Sequence, residues 1–346
     1  MEAGAEASPR PGSWRRLALA LIAFVLIPRI PQFRAIVPIE ESLLMLVPLV
    51  AICCLVAWKK GGSIVLAAAG VMASIVALSQ SFGPAQSAYN PLARGWVLLL
   101  TAGFGIVLLV TAAESFFPRA LAAVAFATVT GFLLALGSAG GPGRIGNAMA
   151  AEFNRRNAES IAYLQGIVDR AENAERTAPS ASLHRMNQQS RTILELTEEQ
   201  IAEIPKWSSL LVPALLGLES LAAMAIAWAL YHRLGRAPLG PPLGRLRDFR
   251  FNDQLVWGVA VGASIYLLPA FSAGKNAGLN LLVFFGALYV IRGVAVSAWM
   301  VRGRYAGAIL MAVGIALWPF ASALAFGLGL GDTWLDWRNR VPAKPL

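Results

Sequence analysis

The chain has 346 residues, 57% of them hydrophobic and only 14% charged, with a formal net charge of +10. Soluble domains carry about 25% charged residues, so this composition excludes an ordinary soluble protein and indicates a multi-pass membrane protein embedded in a lipid bilayer. The basic excess lies mostly in short loops between apolar runs, where it sets orientation; no basic stripe interleaved with aromatics suggests nucleic acid.

Arg10, Arg15 and Arg16 precede LALALIAFVLI, like the charged and apolar regions of a signal peptide. PRIPQF follows instead of a small-residue cleavage site, so a retained membrane helix is expected over 14–29, ended by Pro28. Apolar windows predict further spans at roughly 42–58, 63–82, 96–113 and 118–138, separated by Lys59-Lys60-Gly61-Gly62, Gly83-Pro84 and Asn90-Pro91. Cys53 and Cys54 are neighbours in one helix, which disulfide geometry forbids. Neither they nor His184 and His232 have metal-ligand spacing, so no metal or cofactor is expected.

A polar segment follows Gly140-Gly141-Pro142. Ile161, Leu164 and Val168 form one helical stripe, and Leu183, Met186, Ser190, Ile193, Thr197, Ile201 and Ile204 form another. The spacing predicts a helical hairpin of 146–176 and 181–204, turning at Ala178-Pro179-Ser180. Such a hairpin packs on itself and the bundle, or serves as a lid or a partner's docking surface.

Four more spans are expected at 207–231, 255–272, 278–300 and 306–328, with Pro269 and Pro319 as breaks. The loop HRLGRAPLGPPLGRLRDFRFND carries five arginines against two aspartates, as topology alone requires or as contact with anionic lipid or a cytoplasmic protein partner would. The fold class is thus all-α: a polytopic bundle of eight or nine spans with an extramembranous helical hairpin. Its parts would be an N-terminal membrane bundle (1–139), the hairpin (140–206), a C-terminal bundle (207–328) and an interfacial tail (329–346). In that tail Asp332 and Asp336, one turn apart, offer a weak cation-holding pattern. With the N-terminus in the cytoplasm, inner loops hold 13 basic residues against 7 in short outer segments, and the hairpin lies outside. The exception is the tail, whose Arg338, Arg340 and Lys344 end up outside if nine spans cross.

Glu219 and Arg292 each interrupt a run otherwise free of charge. An ionised group at mid-membrane costs roughly 2.5–3.5 kcal/mol, so such residues face a partner or a polar cavity. Counted from Trp207 and Gly278, their depths differ by about 3 Å in spans running the same way, so they can pair if the helices are neighbours. The pair would lock two helices, or form part of a polar binding site or proton-coupled gate; the alternative is that the two do not pair and each has other partners. Tyr289, one turn before Arg292, and Asn280, nearer the outer end, complete the candidate lining, with Trp257 and Tyr266 as potential aromatic walls. Gly278, Gly286 and Gly293, and Gly258 with Gly262, mark smooth helix-packing faces. No G-x-x-x-x-G-K-[ST], H-E-x-x-H or G-x-S-x-G motif occurs, and no catalytic residue or enzymatic activity is expected.

The stretches LESLAAMAIAWALYHRLG, PPLGRLRDFRFNDQLVWGVAVG, GLNLLVFFGALYVIRGVAV and GLGLGDTWLDWRNR resemble the YybS-like predicted membrane proteins, a domain of unknown function numbered 2232. The layout of about five spans, a polar hairpin and the remaining spans is similar along the whole length. That resemblance implies a fold like the substrate-binding components of energy-coupling-factor vitamin transporters, which bind a small molecule and rely on separate ATPase and coupling subunits. LALALIAFVLI lacks the alanine-x-x-x-alanine face by which those proteins meet their coupling subunit. The family carries glutamine near the Arg292 position, so an ion relay is not implied. Two functions are therefore expected: a bacterial inner-membrane protein that binds or transports a small-molecule ligand, or a membrane scaffold recruiting partners through the hairpin and basic loop.

Overall fold

The computed structural model describes residues 13–34, 36–80, 87–111, 114–138, 141–177, 181–235, 237, 239–301, 314 and 320–340. Among them every regular element is helical. The α-helices are α1 (Trp14–Leu26), α2 (Pro31–Arg34), α3 (Ser42–Trp58), α4 (Ile64–Ser79), α5 (Tyr89–Val110), α6 (Phe116–Gly137), α7 (Gly141–Thr177), α8 (Ala181–Leu234), α9 (Val256–Leu267), α10 (Lys275–Met300), α11 (Phe320–Leu335) and α12 (Trp337–Arg340). Four stretches are long and apolar enough to cross a membrane: α5, α6, Lys206–Leu234 of α8, and Pro269–Met300. The apolar helices α3 and α4 are shorter. Outward faces of these helices remain apolar, with Val65, Met72, Leu98, Val110, Leu133 and Leu134 more than half exposed, as suits surfaces solvated by lipid.

The chain divides into two compact units: Pro11–Glu114 with Arg119–Gly240, and chiefly Pro241–Leu346 with Ser115–Pro118. In the first, α3 is central and packs on α4, α5 and α8. Met45, Leu49, Cys53, Val97, Leu100, Phe104, Ala223, Ala227 and Trp228 are wholly buried there. At one end Arg119, fully buried, donates from Nη1 to the Leu239 carbonyl at 2.8 Å and from Nε to Thr111 Oγ1 at 3.1 Å.

The hairpin's first arm, α7, turns Met149, Phe153, Arg156, Ser160 and Val168 inward, with Ile161 and Leu164 half-buried beside them, as the stripe predicts. Its second arm does not stop at residue 204. Helix α8 runs unbroken through Pro205 for 54 residues, about 80 Å, so the arm and the following membrane helix are one rod. A proline removes one helical hydrogen bond, which a helix this long tolerates. The side chains of the stripe from Leu183 to Ile204, and the Ala178-Pro179-Ser180 turn, lie outside the described residues.

In the second unit α9 and α10 pack closely where Gly262 and Gly278 face each other; a Cβ on Gly278 would lie 2.9 Å from the Gly262 carbonyl oxygen. Helix α11 runs antiparallel to α10, since Gly293 meets the Ala325 backbone while Gly329 meets that of Tyr289. The glycines of α10 therefore serve two neighbours instead of one smooth face. Helix α9 has only 12 residues, about 18 Å, short of the roughly 30 Å hydrocarbon core, because Leu268-Pro269 ends it. Of the expected span 306–328, residues 306–313 and 315–319 lie outside the described residues. Helix α11 continues past that span to Leu335 and stops where Asp336 takes a left-handed φ of 44°. Within the expected tail, residues 329–335 continue this helix, with Asp332 buried and Trp334 and Leu335 exposed.

Candidate functional site

Pro28, Pro31 and Pro38 keep the chain between α1 and α3 from forming one long helix. From Ile36 to Glu41 it is an irregular strap, with Pro38 and Ile39 buried. Backbone groups buried in an apolar bundle need partners, and here three helices supply them. Arg156 of α7 donates from Nη1 to the Val37 carbonyl at 2.9 Å. The Tyr89 hydroxyl of α5 donates to the Pro38 carbonyl at 3.2 Å, and the Ile39 N–H donates to Glu219 Oε2 of α8 at 3.1 Å. The other Glu219 oxygen is buried without a hydrogen-bond partner among the described residues. Beside it Trp96 Nε1 donates to Ser220 Oγ at 3.0 Å.

Against this strap lies a cavity of about 190 Å³ lined by Arg34, Glu40, Glu41, Tyr89, Glu152, Arg155, Arg156 and Glu159. Glu152, Arg155, Arg156 and Glu159 recur at three- and four-residue spacing on α7, so one face of that helix carries four charges. Arg155 donates to both Glu152 oxygens, at 2.5 and 3.0 Å, and to Glu159 Oε1. Arg34 bridges Glu40 at 2.6 Å and Glu159 at 3.0 Å. Arg156, wholly buried, donates from Nε to Glu152 at 2.9 Å, lies 3.4 Å from Glu40, and sits 4.7 Å over the Tyr89 ring. Its Nη2 has no hydrogen-bond partner among the described residues.

The electrostatics divide these carboxyls. Burial pushes Glu152 up, but the hydrogen bonds from Arg155 and Arg156 outweigh it and hold the carboxyl below its ordinary value. The hydrogen bond to Glu152 in turn raises Arg155. Glu41, which has no hydrogen-bond or ion-pair partner among the described residues, is pushed up by burial and then by the like charge of Glu40.

Glu219 and Arg292 belong to different units, and each finds partners within its own. Arg292 donates from Nε to Asp332 at 2.9 Å and from Nη1 to Asp253 at 2.7 Å, 5.2 Å over the Phe251 ring. Arg338 binds Asp332 at 2.6 Å and the carbonyls of Arg247 and Phe249, while Arg250 pairs with Asp336. Two aspartates a turn apart thus each hold an arginine, which leaves the cation pattern without support. Tyr289 is buried, its ring packed edge-on against Phe251 and Phe326. Asn280 bonds back to the Asn276 carbonyl in its own helix, three turns from Arg292. Trp257 and Tyr266 are 68% and 41% exposed, so they are outward anchors and not cavity walls. Among the described residues no cluster of His, Cys, Asp and Glu could hold a metal ion.

Apolar helices of membrane-spanning length, with Glu219, Arg156 and Arg292 each held by partners inside its own unit, define an all-helical membrane protein. The family model described as "Predicted membrane protein (DUF2232)" matches residues 33–333, and the chain belongs to that family. The match takes in Arg34, the strap, the cavity and the Arg292–Asp332 pair. No curated protein and no solved structure matches the chain.

Proposed function

We propose that this is a bacterial inner-membrane protein that binds a small polar solute, and hands it across the bilayer, at the charged cavity beside the strap. The observation that carries this reading is Arg156, a fully buried cation with an unused donor in the wall of a cavity large enough for a solute. A buried donor left unpaired costs about 1–3 kcal/mol, and structures keep such groups where a ligand completes them. The protein binds its solute without transforming it, and active transport would draw on a separate energising partner or an ion gradient.

The topology that fits best has the N-terminus in the cytoplasm and eight crossings, with the cavity facing outward. What supports eight and not nine is the meeting of Arg338 with the carbonyls of Arg247 and Phe249. Groups on opposite sides of a core about 30 Å thick cannot bond, so the tail shares a side with the basic loop. Its three basic residues then obey the positive-inside rule.

The test is a thermal-shift screen of the full-length protein in lipid nanodiscs against amino acids, sugars, dicarboxylates, polyamines and inorganic anions. At least one solute should raise Tm, and Glu41→Trp, which fills the cavity without removing a bond, should abolish the rise. If no solute acts, or the filled variant responds like the native protein, the reading is wrong. A scaffold role is favoured by the exposed side chains of His184, Arg185, Gln188, Gln189 and Thr192 on the α8 arm. It requires that deleting the hairpin remove a phenotype that Glu41→Trp spares.

A further inference from the structure

The chemical class of the solute can be read from the groups that the cavity leaves unused; this step rests on the solute-binding reading above. Glu152 and Glu159 have both oxygens bonded to arginine, and Glu40 has one bonded to Arg34 and the other 3.4 Å from Arg156. Glu41 alone has no ion-pair partner among the described residues. Among the lining residues four carboxylates stand against three guanidinium groups, which leaves Glu41 without a guanidinium of its own there; Arg29 attracts it from outside the lining. Arg156 Nη2, buried and without an acceptor, is the complementary vacancy in hydrogen bonding.

We propose that the cavity binds a small amine that also bears a carboxylate, an amino-acid-like zwitterion, with its ammonium on Glu41 and its carboxylate on Arg156 Nη2. Such a ligand fills both unused positions at once. A simple anion would meet Arg156 while facing the unmatched carboxylate, and a simple cation would leave the guanidinium donor unused. Size agrees: a cavity of about 190 Å³ admits a solute of the size of alanine. Burial and Glu40 both disfavour an ionised Glu41 in the empty cavity, and an incoming ammonium reverses that disfavour.

The experiment is equilibrium dialysis of radiolabelled L-alanine against the full-length protein in nanodiscs at neutral pH, with methylamine and acetate as competitors. L-Alanine should bind saturably, with each half-molecule at least about tenfold weaker, the equivalent of about 1.4 kcal/mol per lost charged contact. Glu41→Gln should weaken L-alanine about tenfold or more and leave acetate unweakened. Since the Glu41 side chain has no hydrogen-bond or ion-pair partner among the described residues, that variant should keep the native fold, to be checked by its elution profile. Arg156→Lys, which retains the positive charge but loses the forked donor, should weaken L-alanine and acetate together. The proposal is overturned if L-alanine binds no better than acetate or methylamine, or if Glu41→Gln leaves its affinity unchanged. If L-alanine fails while another solute still gives a Tm rise that Glu41→Trp abolishes, the zwitterion is wrong and the solute site stands. If no solute binds, both fall.

Discussion

Glu152 and Glu41 lie on one cavity yet respond oppositely to acid. The folded-state pKa of Glu152 is lowered, so its contribution to stability is complete above the ordinary carboxylate value of about 4.3 and is lost as pH falls through the folded value. That of Glu41 is raised, so stability linked to it is greatest below about 4.3 and declines as pH rises through the folded value. Glu41→Gln should therefore raise Tm at pH 7, by about 1 °C, and the gain should vanish as pH falls toward 4; thermal scans of both proteins across that range check it. A residue that makes the empty protein less stable at neutral pH is consistent with a binding role. Arg292 poses a different problem, because Asp332 beside it is wholly buried. Arg292→Met removes one of the two arginines on that carboxylate, Arg338 remaining as the other, and should cost about 1–3 kcal/mol; Asp332→Asn should cost less in that background than in the native chain. Denaturation of the single and double variants should give a coupling above about 1 kcal/mol; strictly additive effects would remove the pair from the account.

At the scale of elements, the strap between α1 and α3 is the least regular stretch of the first unit and the most heavily clamped. Its three consecutive carbonyl and N–H partners come from three different helices, none adjacent to it in sequence. Glu219→Gln retains an acceptor for the Ile39 N–H and should be tolerated, whereas Glu219→Leu leaves that N–H buried and unpaired, at a cost of about 1–3 kcal/mol. Reactivity of a cysteine placed at Val37 should rise in the leucine variant and stay low in the glutamine variant; equal reactivity in both would mean that Glu219 does not hold the strap. This role was only half legible in sequence. The isolated charge in an apolar run showed that Glu219 must have a partner, but an amide from a proline-rich linker 180 residues away leaves no periodic trace. Arg156 was missed for the opposite reason: amid the charges of α7 it reads as a solvated residue, and only packing reveals it as buried. The recoverable signal was Glu152-x-x-Arg155-Arg156-x-x-Glu159, four charges at helical spacing on one face.

For the whole molecule, composition and apolar run lengths were enough to reveal an all-helical membrane protein, because the bilayer allows few alternatives. The number of crossings was not, since short helices such as α9 and α11 look the same to a hydropathy window whether they cross or dock on a neighbour. Cysteines introduced at Ser190 and Arg247, in a chain with Cys53→Ala and Cys54→Ala, should label with an impermeant reagent from opposite faces of the membrane. A third at Arg340 should behave as the one at Arg247 does. Labelling of all three from one face would overturn the orientation.

The uninterrupted α8 rod carries a mechanical consequence. Glu219 lies about 57 Å along the axis from the first residue of that helix, and every intervening turn is helical. Between the distal arm and Glu219 two rungs lack an amide, at Pro205 and Pro213, and a tilt of the far end is absorbed there. Force applied to the distal arm, by a tethered protein or by crowding, would thus be delivered as leverage on the carboxylate that grips Ile39, and those two prolines set how much of it arrives.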